Sequence, residues 1–460
     1  MSDYSKLRAK EIDFTRGMIQ EHQKRLKWSR KELEAFQLQE LKKLLKYVYE
    51  NSKYYKKIID DINLDIDNFV LSDLKKFPIM NKEILMNNWD DIVCDKNLSL
   101  DIINDYLKNL HGPSYLYDKY HAYTSGGTSG VRGVFAWDFN GLANFVNAFY
   151  RYQIRDITAE EKKLKKPICA VMVAEKYLHI TPELFSVPML YDDMEVIQIP
   201  VTIDNITKIK MLNDLQPTHL TGYSTEIYSL ATFAKKGDLN IKPLRVRVNS
   251  EPLFPEMREL IKDVWPVPLN VNYGSTDCGP HAVSCDYSNK YHLCEDSVIL
   301  ELVDNNSNEV KVGELSDKLY ATSLINKTLP LIRYEITDRL QKDGEKCPCG
   351  AIYSTINSVE GRLDDEFIYG NIRVDPHIIR SELVREPSIL EYQVYQIDNG
   401  INIDAITNNN FNDDLKKVLV KNIKLSLEKV GLSSPKVNIK KVEVLKRNKN
   451  TGKLKRFIPI

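Results

Sequence analysis

Between Met18 and Ile59 the chain is rich in Lys, Glu, Gln and Leu, and Leu33, Phe36, Leu41, Leu44, Leu45 and Val48 recur at helical spacing. This predicts an amphipathic helical start. The pattern holds no strict heptad, so the apolar stripe is expected to pack on the body of the protein rather than in a coiled coil. Farther on, short apolar runs alternate with helix-length segments: PICAVMVA (167–174), EVIQIPV (195–201), THLTGYS (218–224), LRVRVNSEPL (244–253) and PLNVNYGSTD (268–277). That alternation predicts an α/β domain with a largely parallel sheet. After Gly361 the texture changes to short β-type runs, LEYQVYQI, INIDAI and PKVNIKKVEVL, around one lysine-rich amphipathic helix near Asp413 to Val430. The expectation is a large α/β domain over residues 1–361 and a small α+β domain over 362–460, with the boundary at EGRLDDEF.

Length agrees with two domains, because 460 residues exceed the span of one hydrophobic core. The 64 basic residues balance 64 acidic ones, so no overall field favours nucleic acid or an anionic membrane, and neither partner is expected. The opening MSDYSKLRAKEIDFTRG has no uninterrupted apolar core, and no run of about 18 apolar residues predicts a membrane span; the cytoplasm is the default expectation. Seven cysteines, an odd number scattered over a long chain, call for a test of metal-binding spacing before disulfides.

The chemistry starts at TSGGTSGVRG (124–133), which uses four of the chain's 19 glycines. It fits neither G-x-x-x-x-G-K-[ST] nor G-x-G-x-x-G, and GYSTE at Gly222 lacks the closing glycine of a hydrolase elbow. Thr124, Ser125, Thr128 and Ser129 supply hydroxyls, while Gly126, Gly127, Gly130 and Gly133 let backbone N–H groups approach a ligand, and Arg132 adds a charge. The stretch reads as a nest for a polyanion such as phosphate, and equally as a flexible Gly/Ser turn. NYGSTD (272–277) ends an apolar run and places Tyr273 where a ring can stack on a purine, with Thr276 and Asp277 at a strand's carboxyl end, where α/β sheets bind ligands. Asp277 is suited to Mg²⁺ against phosphate oxygens. PLIRYEITDRL offers Asp338 to the two hydroxyls of a ribose, EGRLDD sets Arg362 beside Asp364, and KNTGKLKR presents Lys453 near the C-terminus.

Taken in order, these segments resemble the acyl-adenylate-forming superfamily of AMP-forming acyl-CoA synthetases, and within it the phenylacetate-CoA ligase-like branch with its capsule-biosynthesis adenylate-forming proteins. The resemblance covers roughly residues 85–457. It matches TSGGTSGVRG to the phosphate loop, SEPL (Ser250, Glu251) to the adenine-side turn, Asn272, Tyr273, Gly274, Ser275 and Thr276 to the aromatic segment, IRYEITD to the ribose carboxylate, GRLDD to the hinge and TGKLKR to the catalytic lysine. It implies ATP and Mg²⁺ as reactants, Tyr273 on adenine, Asp338 on ribose, Arg362 on ribose or phosphate, Asp364 as pivot, and Lys453 bridging carboxylate and α-phosphate. The small domain would be mobile. YGNI, with Gly370, is similar to the segment offered to a pantetheine arm, so CoA is the implied acceptor; relatives that use a carrier-protein thiol or an amine share the same motifs. Arg132 stands where lysine is commoner, and TD replaces the usual TE at Asp277, which shortens the reach to the metal.

The implied chemistry fits the residue types. A carboxylate attacks the α-phosphorus of ATP in line, and the transition state needs cations on the phosphate oxygens and on the departing pyrophosphate. Residues near 171–180 with His179, Tyr223 and 272–279 are expected to form the acid pocket, and their composition favours an aryl or medium hydrophobic acid over a highly charged one. A homodimer is compatible with all of this, as is a silent binding protein that retains the fold. Lastly, Cys285 with His292 and Cys347 with Cys349 form the ligand set of a closed tetrahedral zinc site, an arrangement some phenylacetate-CoA ligase-like proteins carry. Cys278 and His281 compete for that role by spacing, and Cys294 reads as a buried thiol.

Overall fold

The computed structural model describes residues 3–125, 133–174, 178–362, 365–448 and 452–460. Contacts divide the chain into two compact units, Met1–Val359 and Glu360–Ile460. Among the described residues no helix is long and apolar enough to cross a membrane.

In the first unit, seven α-helices among the described residues precede any strand, and the first four are Asp3–Gly17, Ile19–Arg25, Arg30–Asn51 and Lys53–Asp61. Ser29 starts the third with a capping box: its Oγ accepts from Glu32 N at 3.3 Å while the Glu32 carboxylate accepts from Ser29 N at 2.7 Å. The helix then buries Leu33, Leu41, Leu44, Leu45 and Val48. Its polar Gln37 is buried too, donating to Glu295 O at 2.7 Å, which fixes the helix on the body of the protein. The helix Asp3–Gly17 is held by a buried network instead. Arg8 bonds Glu11 and Glu183, and Glu11 accepts from Tyr115 and faces His121 Nε2, each at 2.7 Å.

An antiparallel hairpin of β1 (Tyr120–Thr124) and β2 (Val134–Asp138) leads into the long helix Phe139–Arg155. Behind it stand β3 (Ile168–Val173), β4 (Glu195–Pro200), β5 (His219–Tyr223), β6 (Arg245–Asn249), β7 (Leu269–Ser275), β8 (Gly279–Ser284) and β9 (Tyr291–Leu293). A three-stranded sheet of β10 (Val298–Val303), β11 (Lys318–Ser323) and β12 (Tyr334–Ile336) follows, then β13 (Asp338–Asp343) and β14 (Thr355–Arg362). Among the described residues the main sheet has nine strands in the order β13-β14-β9-β8-β7-β6-β5-β3-β4. From β4 to β7 every pairing is parallel; β7–β8, β8–β9 and β9–β14 are antiparallel. The expected parallel sheet is therefore half of a mixed one. The reason is local: Thr276–Cys278 is too short to cross over, and only an antiparallel partner can follow so tight a turn.

The second unit pairs β15 (Phe367–Tyr369) with β16 (Ile372–Val374) and builds a four-stranded sheet from β17 (Ile389–Ile397), β18 (Gly400–Thr407), β19 (Lys436–Lys441) and β20 (Phe457–Ile458), in the order β19-β18-β17-β20. The helix Asp413–Lys429 covers it through Leu419, Ile423 and Leu427, while its lysines face solvent. This unit has its own core.

Candidate active site

The stems of the glycine-rich stretch are tied together. Ser125 N donates to Gly133 O at 3.0 Å, Gly133 N to Ser125 Oγ at 3.3 Å, and Thr124 N to Leu178 O at 2.9 Å. A Cβ on Gly133 would stand 2.7 Å from the Phe135 ring and 2.8 Å from Ser125 Oγ, so glycine is required there by contact. Gly126, Gly127, Thr128, Ser129, Gly130 and Arg132 lie outside the described residues.

The carboxyl ends of β6 and β7 carry the next two segments. Ser250 follows β6 with φ +63°, a left-handed backbone uncommon for a side-chain-bearing residue. Its hydroxyl bonds Asn249 Oδ1 at 2.9 Å and lies 3.4 Å from Thr181 Oγ1. The Glu251 carboxylate turns away to cap the helix Ser224–Lys236, accepting from Thr225 N at 3.0 Å and Thr225 Oγ1 at 2.7 Å. On β7, Tyr273 donates its hydroxyl to Asp338 Oδ2 at 2.6 Å, so two residues 65 positions apart form one corner. Trp137 Nε1 donates to Thr276 O at 3.0 Å and links this corner to the hairpin below the glycine-rich stretch.

Sequence reasoning missed two supports of that corner. The His281 ring lies 5.1 Å from that of Tyr273, and its Nε2 lies 3.0 Å from Ser275 Oγ. Burial lowers its pKa to about 4, so the imidazole under the tyrosine is neutral at pH 7. Tyr334, inside the IRYEITD segment, is buried beside Asp277; burial first and the carboxylate second push its phenol well above the ordinary range, so it stays a hydrogen-bond donor. Both signals were present as aromatic or imidazole groups near motif residues, but only the fold pairs them.

Gly274 has no room for a side chain: a Cβ would stand 2.6 Å from Gly279 O and 3.0 Å from Phe149 Cζ. Gly274→Ala is expected to cost about 1–3 kcal/mol through overpacking. Thermal melting should show the loss, and a Tm equal to that of the parent would contradict the reading.

In the smaller unit Lys453 sits in a turn closed by Gly452 N to Asn448 O at 2.8 Å and Asn448 N to Lys453 O at 2.9 Å, with Gly452 at φ +68°. The turn is anchored where Val394 N of β17 donates to Arg456 O at 2.7 Å. Gly370 forms the β15–β16 turn at φ +60° with open space where a Cβ would be. Arg362 ends β14; its side chain, like Asp364, lies outside the described part of the chain.

A second cluster lies on the antiparallel side of the sheet. Cys285 follows β8, His292 is in β9, and Cys347 and Cys349 occupy the loop before β14. Their ligand atoms all fall within 4.8 Å of one another, with Cys285 Sγ 3.5 Å from Cys347 Sγ and Cys349 Sγ 3.3 Å from His292 Nε2. A disulfide needs about 2.0 Å. Tetrahedral zinc with its usual bond lengths needs ligand–ligand edges of about 3.3–3.8 Å, which these separations fit. Tyr152 stacks on the His292 ring at 4.7 Å, and Arg155, paired with Asp156 at 2.6 Å, also faces Cys349. Cys278 and His281 are not part of this group, and Cys294 is a buried thiol beside it. The other group with metal-ligand chemistry among the described residues, Glu11, His121 and Glu183, already holds the Arg8 guanidinium as its cation.

No family model matches the chain. It is 23% identical over 381 residues to a phenylacetate-coenzyme A ligase of Thermus thermophilus, covering 80% of this chain and 78% of the relative. Protein CapK of Staphylococcus aureus is 23% identical over 413 residues, 86% of this chain and 83% of its own. A 2-hydroxyisobutyryl-CoA ligase solved in the postadenylation state with 2-HIB-AMP superposes with a TM-score of 0.73 at 15% identity, over 94% of this chain and 91% of that one. With the ordered motifs and the paired Tyr273 and Asp338, these likenesses are all to acyl-adenylate-forming enzymes, and those in sequence are to the phenylacetate-CoA ligase-like branch.

Proposed function

We propose that this AMP-forming ligase joins a carboxylic acid to ATP, releases pyrophosphate, and passes the acyl group from the adenylate to CoA. The observation that carries the reading is the Tyr273–Asp338 bond of 2.6 Å beside the tied stems at Thr124, Ser125 and Gly133. It sets a ring for a purine and a carboxylate for a ribose next to a stretch rich in phosphate donors. Asn272, Gly274, Ser275 and Thr276 line the same edge. The reacting carboxylate attacks the α-phosphorus, and the Lys453 ammonium neutralises charge on both as it develops. The small unit would deliver Lys453 for this step and withdraw it by rotation at Asp364, after which Gly370 would pass the pantetheine arm. Asp277 is the residue to hold Mg²⁺, which when bound supplies positive charge to phosphate oxygens.

The acceptor is tested by single turnover. Adenylate formed on the protein is mixed with CoA, with a pantetheinyl carrier protein or with an amine; AMP and a CoA thioester are expected from CoA alone. Release of AMP only by carrier or amine would reassign the second step.

Cys285, His292, Cys347 and Cys349 would hold zinc in a closed, structural site, since four protein ligands leave no open position. Protein purified without chelator should contain about one equivalent of zinc. Cys347→Ser with Cys349→Ser should lose the metal and lower the Tm. Metal below half an equivalent, or an unchanged Tm, would count against the site.

A further inference from the structure

The parallel half of the sheet hides a polar layer. Alternation puts Arg245, Arg247 and Asn249 of β6 on one face, and the register sets Thr221 of β5 beside Arg247 and Asn272 of β7 beside Asn249. All are buried. Arg245 is fully answered: Glu161 accepts from its Nε at 2.7 Å and its Nη2 at 2.9 Å, and Asp286 lies 2.9 Å from Nη1.

Arg247 is not answered in this way. It is 3% exposed, yet no carboxylate among the described residues pairs with it. Its Nη1 donates to the Tyr150 hydroxyl at 2.7 Å and its Nη2 to Gln153 Oε1, its guanidinium lies 4.1 Å from the Tyr150 ring centroid, and its Nε finds no acceptor. Nearer the carboxyl edge, Asn249 Nδ2 and Asn272 Nδ2 are also buried without an acceptor. Three donors without acceptors, ending at a cation, thus run inward along one face from the segment that carries Tyr273. Neutral dipoles offset only part of the penalty of a buried charge, and an anion in the fork geometry offsets far more.

Apolar rings flank the route from edge to cation. Phe185 lies 5.6 Å from the Arg247 guanidinium and stacks on Phe149 at 6.2 Å, and Phe149 reaches the backbone of Gly274. Arg247 lies two strand residues below Asn249, about 7 Å at the usual rise.

Building on the adenylation reading, we propose that Arg247 determines substrate specificity by receiving a second carboxylate at the far end of the acid, so that the preferred substrate is a dicarboxylic acid with an apolar middle. The aryl or medium hydrophobic body expected from the sequence is kept, while the expectation against a highly charged acid is given up. The far end carries the counter-ion that the protein withholds from Arg247.

The test is acid-dependent pyrophosphate exchange on matched pairs: adipate against hexanoate, and 4-carboxyphenylacetate against phenylacetate. In the parent protein kcat/KM for the diacid should exceed that for its monoacid by about 100-fold, because a monoacid leaves the buried guanidinium unpaired. Arg247→Met should collapse that ratio by about the same factor, and Arg247→Lys should restore part of it. A parent protein that prefers the monoacid of each pair overturns the inference, as does an Arg247→Met variant that lowers both rates equally. The parent's preference decides the matter even where the variant does not fold. Exchange with monoacids only leaves adenylation standing and removes this inference alone; absence of exchange with every acid, together with absence of ATP binding, removes both.

Discussion

Lys453→Ala is expected to slow acid-dependent pyrophosphate release by about 100- to 1,000-fold, the loss typical when one donor to a developing oxyanion is removed. The fold should survive, because the turn is held by backbone bonds between Asn448, Gly452 and Lys453 and by the β17–Arg456 bond, none of which uses the lysine side chain. ATP affinity should change little, since the proposed contacts of Tyr273, Asp338 and the glycine-rich stretch come from the larger unit and Arg362 is left in place. The variant should still convert supplied acyl-adenylate to thioester once CoA is added, because the ammonium is needed only while the anhydride forms. Quenched-flow measurement of pyrophosphate, beside equilibrium binding of ATP, separates these effects. Normal pyrophosphate release by the variant would remove Lys453 from its assigned role.

The second large effect is on stability. Asp296 is 1% exposed, 2.7 Å from Arg151 Nη1 and 3.3 Å from Arg25 Nη1, and it ties the long helix Phe139–Arg155 and the N-terminal helices to the strand region. Burial alone would raise its carboxyl pKa; Arg151 and then Arg25 outweigh burial and hold it well below the usual range. Asp296→Ala strands two buried guanidinium groups and is expected to cost about 3–5 kcal/mol. The pH dependence has a definite sign. A depressed carboxyl contributes stability that is full above its unfolded pKa of about 3.9 and fades as pH falls below it. Denaturant unfolding should therefore show the gap between parent and variant wide at pH 7 and narrowing below about pH 4. A gap that is small at pH 7, or that widens in acid, would contradict the assignment.

Much of this architecture was legible in the sequence where a period or a spacing carries it. The stripe from Leu33 to Val48 has helical period, and the helix Arg30–Asn51 buries all of it but Phe36, which is half-buried. The apolar runs became β3 to β7; in β3, β5 and β6, and in the first half of β7, the reason is that a strand covered on both faces needs such a run, while β4 is the sheet's exposed edge. Cys347 and Cys349 advertise themselves by a two-residue spacing, but their separation from Cys278 and His281 is a matter of tertiary structure, since sequence spacing allowed either set. The antiparallel half of the sheet was hidden because β8 opens on Gly279 and Pro280, residues that read as a turn. Least legible was the layer at Arg245 and Arg247. An RVRV alternation ordinarily sends its arginines to solvent; here the helix Phe139–Arg155 encloses Arg247, and Glu161 and Asp286 enclose Arg245.

The central claim is that the protein joins a carboxylate to the α-phosphate of ATP, and exchange of labelled pyrophosphate into ATP without CoA tests it most directly. Exchange that depends strictly on an added acid, with acyl-AMP recovered from the protein, is the predicted result; acid-dependent formation of ADP and phosphate, with no exchange, would contradict it.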